Sequence, residues 1–446
     1  MSSLHVGVFW LVLLAATAVT ASGEKRQFFT QKIDHFGNVS GTYQQMFTVN
    51  ESYVDAKATS GVPTFIFLGG EAALQFFEFQ EVSALHWAAA VKARYIALEH
   101  RYYGVSMPTP DWSTTPLVQL LSVEQALADA AAFIEAMVAQ DTAKRYGKWV
   151  VFGCSYSGSL SAWFRTKYPN LVVASVAPSG PVLAQIDYAS FLPHFAAAAT
   201  PACTAAARTA TQAIQALFRN GQHAYVAKVF NSCSDLSNRT DQLFFEHQVG
   251  TALGSANQFN NPDENWPLNT TCASLLSTAS PIVGFAQAIG AGNGGQSCND
   301  YTVAGFQTLM RNPANGDRAW WAQKCTEFGF FKSSHAAGGI FFDDVTVDVI
   351  SSLCEVIFDI KGMMPDVAAF NARWGAKQLN GTNILFTNGN MDPWSLLSIT
   401  VPEGTVDAIT YDAGHCATMT VPTALDPPSL TAARAYVLSF LQKALQ

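Results

Sequence analysis

The chain predicts an α/β fold in which a largely parallel sheet is interrupted by a helical insertion, and three observations carry that prediction. Runs that are apolar throughout end in Gly-containing turns, the pattern of strands buried on both faces. Helical stretches separate these runs, as crossovers between parallel strands require. A long Ala-rich block then holds six of the eight cysteines before strand texture returns.

The elements follow in order. Leu4 to Val19 (LHVGVFWLVLLAATAV) is an apolar stretch too short for a comfortable membrane span, and it ends in small residues. Val19 and Ala21 have the spacing of a cleavage site, which predicts a signal peptide over residues 1–22. The first part of the α/β domain is expected at 23–187. Strands are expected within Thr64–Gly70 (TFIFLGG), Tyr95–Arg101 (YIALEHR), Lys148–Ser155 (KWVVFGCS) and Leu171–Pro181 (LVVASVAPSGP). Ser122–Gln140 predicts a crossover helix, with Ser122 and Gln125 at capping-box spacing.

Residues 188–370 are expected to form the insertion. It contains Cys203, Cys233, Cys272, Cys298, Cys325 and Cys354, read as the staples of a disulfide-bonded unit whose pairing stays open. The second part of the α/β domain is expected at 371–446. Its strands are read at Asn383–Gly389 and Asp407–Gly414, and an amphipathic helix at Ser429–Leu445 closes the chain without a second membrane span.

Composition narrows the function. Apolar residues make up 49% and charged residues 13%, which excludes a disordered chain. The net charge is −8 and no basic stripe is visible, so nucleic acid is not an expected partner. N-glycosylation sequons begin at Asn38, Asn50, Asn238, Asn269 and Asn380 and agree with a secretory-pathway protein, lysosomal or secreted. No P-loop or dinucleotide fingerprint occurs, and no cofactor or metal is expected.

The strongest local motif is VVFGCSYSGSLSAWFRTKYP. A buried strand ends at Gly153, Ser155 follows, and a helix begins at once. This strand–turn–helix elbow presents a serine in a strained, exposed conformation. The usual G-x-S-x-G reads here Gly153-Cys154-Ser155-Tyr156-Ser157, with Ser157 replacing the second glycine. A serine nucleophile needs a base, and the base an orienting acid, in the chain order Ser, Asp, His. Asp392 lies in a turn after one late strand (NILFTNGNMDPWS), and His415 after another (AITYDAGHCATM). Asp412 is a rival acid but sits too near His415 in the chain. The reading is therefore an α/β-hydrolase domain with a large helical, disulfide-bonded insertion, and with Ser155, Asp392 and His415 as catalytic residues. Oxyanion donors are expected from the Tyr156 N–H at the helix start and the Gly70 N–H after an early strand. Glu71 could bind a substrate amine or pair with Arg101, and the salt bridge is the preferred reading.

QKIDHF (Gln31–Phe36), FLGGE, LEHRYYG (Leu98–Gly104), SVEQALAD, GCSYSGSLSAWFRTKYP, NGNMDPWS and the Gly-His-Cys segment occur in this order. Together they resemble the prolyl-preferring serine exopeptidases, the family of lysosomal Pro-X carboxypeptidase, dipeptidyl peptidase II and thymus-specific serine protease. TEFGFF (Thr326–Phe331) and the His-Cys pair look most like the thymus-specific type. The resemblance implies a Ser155–His415–Asp392 acyl-enzyme mechanism, a helical domain over the active site, and cleavage of peptides next to proline. It also implies that Trp394 walls the proline pocket. Cys154 and Ser157 stand where relatives mostly carry glycine. Each of Cys154 and Cys416 neighbours a triad residue, so the two could pair. An esterase with the same triad, or a weakly catalytic binding protein, remains as an alternative. Peptides are the expected partners; the direction of cleavage and the oligomeric state, a homodimer included, stay open.

Overall fold

A computed structural model describes residues 26–37, 39–74, 82–141, 145–291, 298–335 and 339–446. The expected signal peptide and Asn38 lie outside the described residues. Eight strands form one sheet in the order β1 (Gln27–Lys32), β2 (Thr42–Asn50), β4 (Arg94–Leu98), β3 (Val62–Leu68), β5 (Tyr146–Phe152), β6 (Ala174–Pro178), β9 (Ile384–Gly389), β10 (Val406–Tyr411). Only β2 runs against its neighbours; every other pairing in the sheet is parallel.

The apolar runs are explained by burial on two faces. Ile66, Leu68 and Val151 point into one core, where Leu127, Phe133 and Leu160 of the helices Val123–Gln140 and Tyr156–Lys167 meet them. Phe65, Phe67, Val150 and Phe152 point into the other, against Ala84 and Trp87 of Val82–Val91 and Val437 and Leu441 of Pro428–Leu445. Each large side chain so buried contributes about 1.5–3 kcal/mol, which fixes the register. A mixed sheet of this order, antiparallel only at its second strand and covered by helices on both faces, is the α/β-hydrolase fold.

The helix Val123–Gln140 begins as its sequence predicts, with Ser122 Oγ accepting from Gln125 N at 3.2 Å. The second half of the capping box is absent: the Gln125 side chain instead donates to Asp34 Oδ1 (2.6 Å) and accepts from His35 N (3.0 Å), tying down the N-terminal segment.

The expected Glu71–Arg101 salt bridge does not form. Arg101 turns to the fully buried Asp129 of that helix and binds it through two hydrogen bonds of 2.6 Å. Its remaining donors reach the Ile33 and Leu120 carbonyls, while Tyr43 and His35 complete the shell of Asp129. A buried charge pair survives only when all its polar atoms are engaged in this way.

Between β6 and β9 the chain is mostly helical, as expected, but it also contains a short parallel pair, β7 (Gln185–Asp187) with β8 (Gly329–Phe331). A π-helical turn, Lys324–Phe328, leads into β8. The clustered cysteines pair as Cys203–Cys272, Cys233–Cys298 and Cys325–Cys354. Asn238, Asn269 and Asn380 are exposed, whereas Asn50 is buried, its amide oxygen accepting from Ser52 N and Oγ. That burial makes Asn50 a poor glycan acceptor. Among the described residues, no single helix is long and apolar enough to cross a membrane.

Candidate active site

The turn after β5 is shaped by what surrounds it. A Cβ on Gly153 would stand 2.0 Å from Ser157 O, so only glycine fits there. Ser155 adopts φ 62°, ψ −130°, a conformation that side-chain-bearing residues pay strain to hold. Its N–H donates to Pro178 O at the end of β6 (3.0 Å). Ser157 is more than a tolerated small residue. Its hydroxyl accepts from Cys154 N (2.8 Å) and donates to Cys154 O (2.9 Å), so it buckles the turn that a second glycine would leave free.

The helix Tyr156–Lys167 starts immediately, with no cap hydrogen bond from the Ser155 side chain. The Tyr156 ring is held from both sides. Its hydroxyl meets His100 Nε2 (3.0 Å) and Gln323 Nε2 (2.7 Å), and Tyr103 donates to Gln323 Oε1 (2.6 Å). Burial pushes the His100 imidazole down to about 4, so it is neutral at physiological pH. On the other side of the elbow, Gly69 N donates to Leu98 O (2.8 Å), and Gly70 is buried beside it.

The other two predicted residues are brought together. Asp392 caps the short helix Pro393–Leu397, its Oδ1 accepting from Trp394 N (2.9 Å). Its Oδ2 lies 2.7 Å from His415 Nδ1, and both residues are buried. The far ring nitrogen, Nε2, is buried without a partner. It is not hydrogen-bonded to the Ser155 hydroxyl; such contacts often tighten only around substrate. The two loops are nonetheless covalently joined. Cys154 and Cys416, each one residue from Ser155 and His415, form a disulfide with their Cα atoms 6.0 Å apart.

Replacing both cysteines by serine is expected to lower kcat roughly 10- to 100-fold, the order of effect of misplacing reacting groups by about 1 Å. Stability should fall by about 2–4 kcal/mol, since the bridge closes a long loop already shortened by other disulfides. Steady-state kinetics and urea unfolding of the double variant check both figures.

Sequence reasoning missed the segment that holds the acid and base loops. Asn257 Nδ2 donates to Met391 O (2.9 Å), Asn261 Oδ1 accepts from Gly414 N (2.8 Å), and Asn261 Nδ2 donates to His415 O (2.8 Å). His415 N also donates to Gln258 O (2.6 Å). A Cβ on Gly414 would stand 2.4 Å from Gln258 O, so glycine lets the two backbones meet. The only available signal was the cluster Asn257, Asn260, Asn261 within an insertion read as helical.

Glu71 stands near this site and not with Arg101. Its Oε2 is buried without a partner; burial raises its pKa, against the opposing pull of its own backbone N–H and then of the nearby His415. Trp394 is 9% exposed and packs against Tyr188, Phe191 and Phe330, with ring centres 5.2–5.4 Å away. Tyr188 OH donates to Pro393 O, fastening this aromatic box to the acid turn. Tyr188 and Phe191 carried no sequence signal of their own, being ordinary aromatics beyond β6.

A model of the family "Serine carboxypeptidase S28" matches residues 31–437. The chain is 30% identical over 448 residues to thymus-specific serine protease of Mus musculus, an alignment covering 94% of this chain and 87% of that one. It is 26% identical over 454 residues to lysosomal Pro-X carboxypeptidase of Bos taurus, again covering 94% and 87%. With an α/β-hydrolase sheet carrying a strained serine elbow and a buried Asp–His pair, the chain belongs to the serine carboxypeptidase S28 family and is a serine peptidase.

Proposed function

We propose that this protein is an exopeptidase that cleaves peptides next to proline, with Ser155 as nucleophile. The observation that carries the reading is the buried Asp392–His415 pair, its free Nε2 on a loop bridged by a disulfide to the serine elbow. Asp392 keeps the imidazole proton on Nδ1, so Nε2 can take the Ser155 hydroxyl proton as Oγ attacks the peptide carbonyl. The Tyr156 and Gly70 N–H groups stabilise the oxyanion of the tetrahedral intermediate. His415 then gives that proton to the leaving amine, and water, activated by the same nitrogen, releases the acyl group.

The proline ring is received by the aromatic box of Trp394, Tyr188, Phe191 and Phe330, and residues 188–370 act as the cap over the site. Glu71, whose Oε2 is buried without a partner, is positioned to meet a substrate amine. The similarity to a lysosomal carboxypeptidase and the four disulfides support a place in the secretory pathway, with the lysosome as the proposed destination.

The test is mass spectrometry of the products of one proline-containing peptide, paired with labelling by a fluorophosphonate probe. Cleavage on either side of proline together with labelling at Ser155 is the expected result. Ester hydrolysis without peptide cleavage would overturn the substrate assignment.

A further inference from the structure

One cation beside the candidate site forms no ion pair with any described residue. Lys332 follows β8 directly, and its ammonium stands 3.5 Å from the centre of the Phe191 ring and 5.1 Å from that of Trp394. The carboxylates nearby are engaged elsewhere: Asp392 with His415, and Asp187 with Ser333 Oγ and His335. Among the described residues, none forms an ion pair with Lys332. A second cation, Lys324, lies 4.0 Å from the Trp321 ring centre and is also without a carboxylate. His247, whose Nδ1 is buried and unpartnered, completes a cluster of bases.

Aromatic faces offset only part of the cost of desolvating an ammonium. A methionine would fill the same space more stably, so the charge is better explained by what it receives than by folding. The chain leading to it is unusual, with a π-helical turn and then two residues at positive φ, Gly329 and the bulky Phe330. Such features gather at functional sites.

We propose that Lys332 is a substrate-binding residue whose ammonium receives a carboxylate of the peptide beside the aromatic box. This inference rests on the reading of the site given above. A peptide can supply that carboxylate from its C-terminus or from an Asp or Glu side chain, and the chemistry at Lys332 is the same. Burial, reinforced by Lys324, pushes the ammonium down to about 7, while Asp392 opposes that shift. Lys324 is likewise held at about 7, and His247, lowered to about 3, stays neutral. Asp187 and His335 lie just beyond. The anchor is therefore charged below about pH 7 and fades as pH rises through that value.

The test is binding, measured by calorimetry with Ser155→Ala protein so that turnover is not required. Two matched pairs of proline-containing peptides serve as probes: one pair differs only in a free or amidated C-terminus. The other, amidated throughout, differs only in Glu or Gln beside the proline. At pH 5.5, roughly a unit and a half below the lysine's value, one carboxylate form should bind at least about tenfold tighter than its neutral partner. Adding Lys332→Met should erase that difference while the protein melts no lower than its parent. Preference within the first pair identifies the terminal carboxylate, and within the second a side chain. Absence of preference in both pairs, or preference that survives Lys332→Met, overturns the proposal. Turnover by the wild type is scored separately. Active enzyme without carboxylate preference refutes only the role of Lys332, and carboxylate preference without turnover refutes only the peptidase reading.

Discussion

Ser155→Ala is expected to abolish peptide hydrolysis, lowering kcat about 10⁵- to 10⁶-fold, while the protein folds and melts as before. The size follows from the proposed role of Ser155: with the nucleophile gone the acyl-enzyme can no longer form, and only binding and oxyanion stabilisation remain. The unchanged fold follows from the local structure. Ser155 is held at φ 62° by its N–H to Pro178 O and by the Ser157 hydroxyl buckling the preceding residue, not by its own side chain. Alanine carries the same Cβ and meets the same backbone strain, so little stability changes. Kinetics on a proline-containing peptide, with circular dichroism melts of both proteins, measure the two halves of this expectation. A Ser155→Ala enzyme with full activity would end the assignment of the nucleophile.

The legible parts of this molecule were those whose physics is local. β3, β6, β9 and the second half of β5 are covered on both faces, so apolar residues dominate and the run stands out. Ser122 announced its helix because an N-cap acts on a residue three positions away. The Asp392–His415 pair could be anticipated because each residue follows a strand end that the sequence marks. β1 is different: it is an edge strand with most of its residues exposed, and a polar run such as QFFTQK looks like a loop. β7 and β8 have three residues each, too few for any period to show.

What failed was long-range. Arg101 was matched to Glu71 because their segments were read as neighbours, yet it turns to Asp129, a buried acid on a helix that also buries Leu127, Ala130 and Phe133. A lone acid on an apolar helix face was the clue to a buried partner. Asn261 lies 154 positions from the histidine it clamps, and no local pattern spans that distance. The same holds for Lys332, which the sequence places only at the end of TEFGFFK.

Asp392→Asn is expected to lower kcat about 10⁴-fold with KM little changed, although the substitution is nearly isosteric. The reason lies in how the two carboxylate oxygens are used. Oδ1 accepts from Trp394 N at 2.9 Å, and Oδ2 faces His415 Nδ1 at 2.7 Å. An asparagine must keep its oxygen toward the Trp394 N–H, because an NH₂ there would face a donor in a buried site. Its NH₂ is then turned toward His415 Nδ1, which must become an acceptor. The single proton of the neutral imidazole moves to Nε2, the nitrogen that has to receive the serine proton, and the base is blocked. The negative charge that would steady the imidazolium is lost as well. Because the Trp394 bond and the packing of the turn are retained, the melting temperature should shift far less than activity does. If Asp392→Asn instead kept wild-type kcat, Asp392 would be a helix cap and nothing more, and the base would need another orienting group.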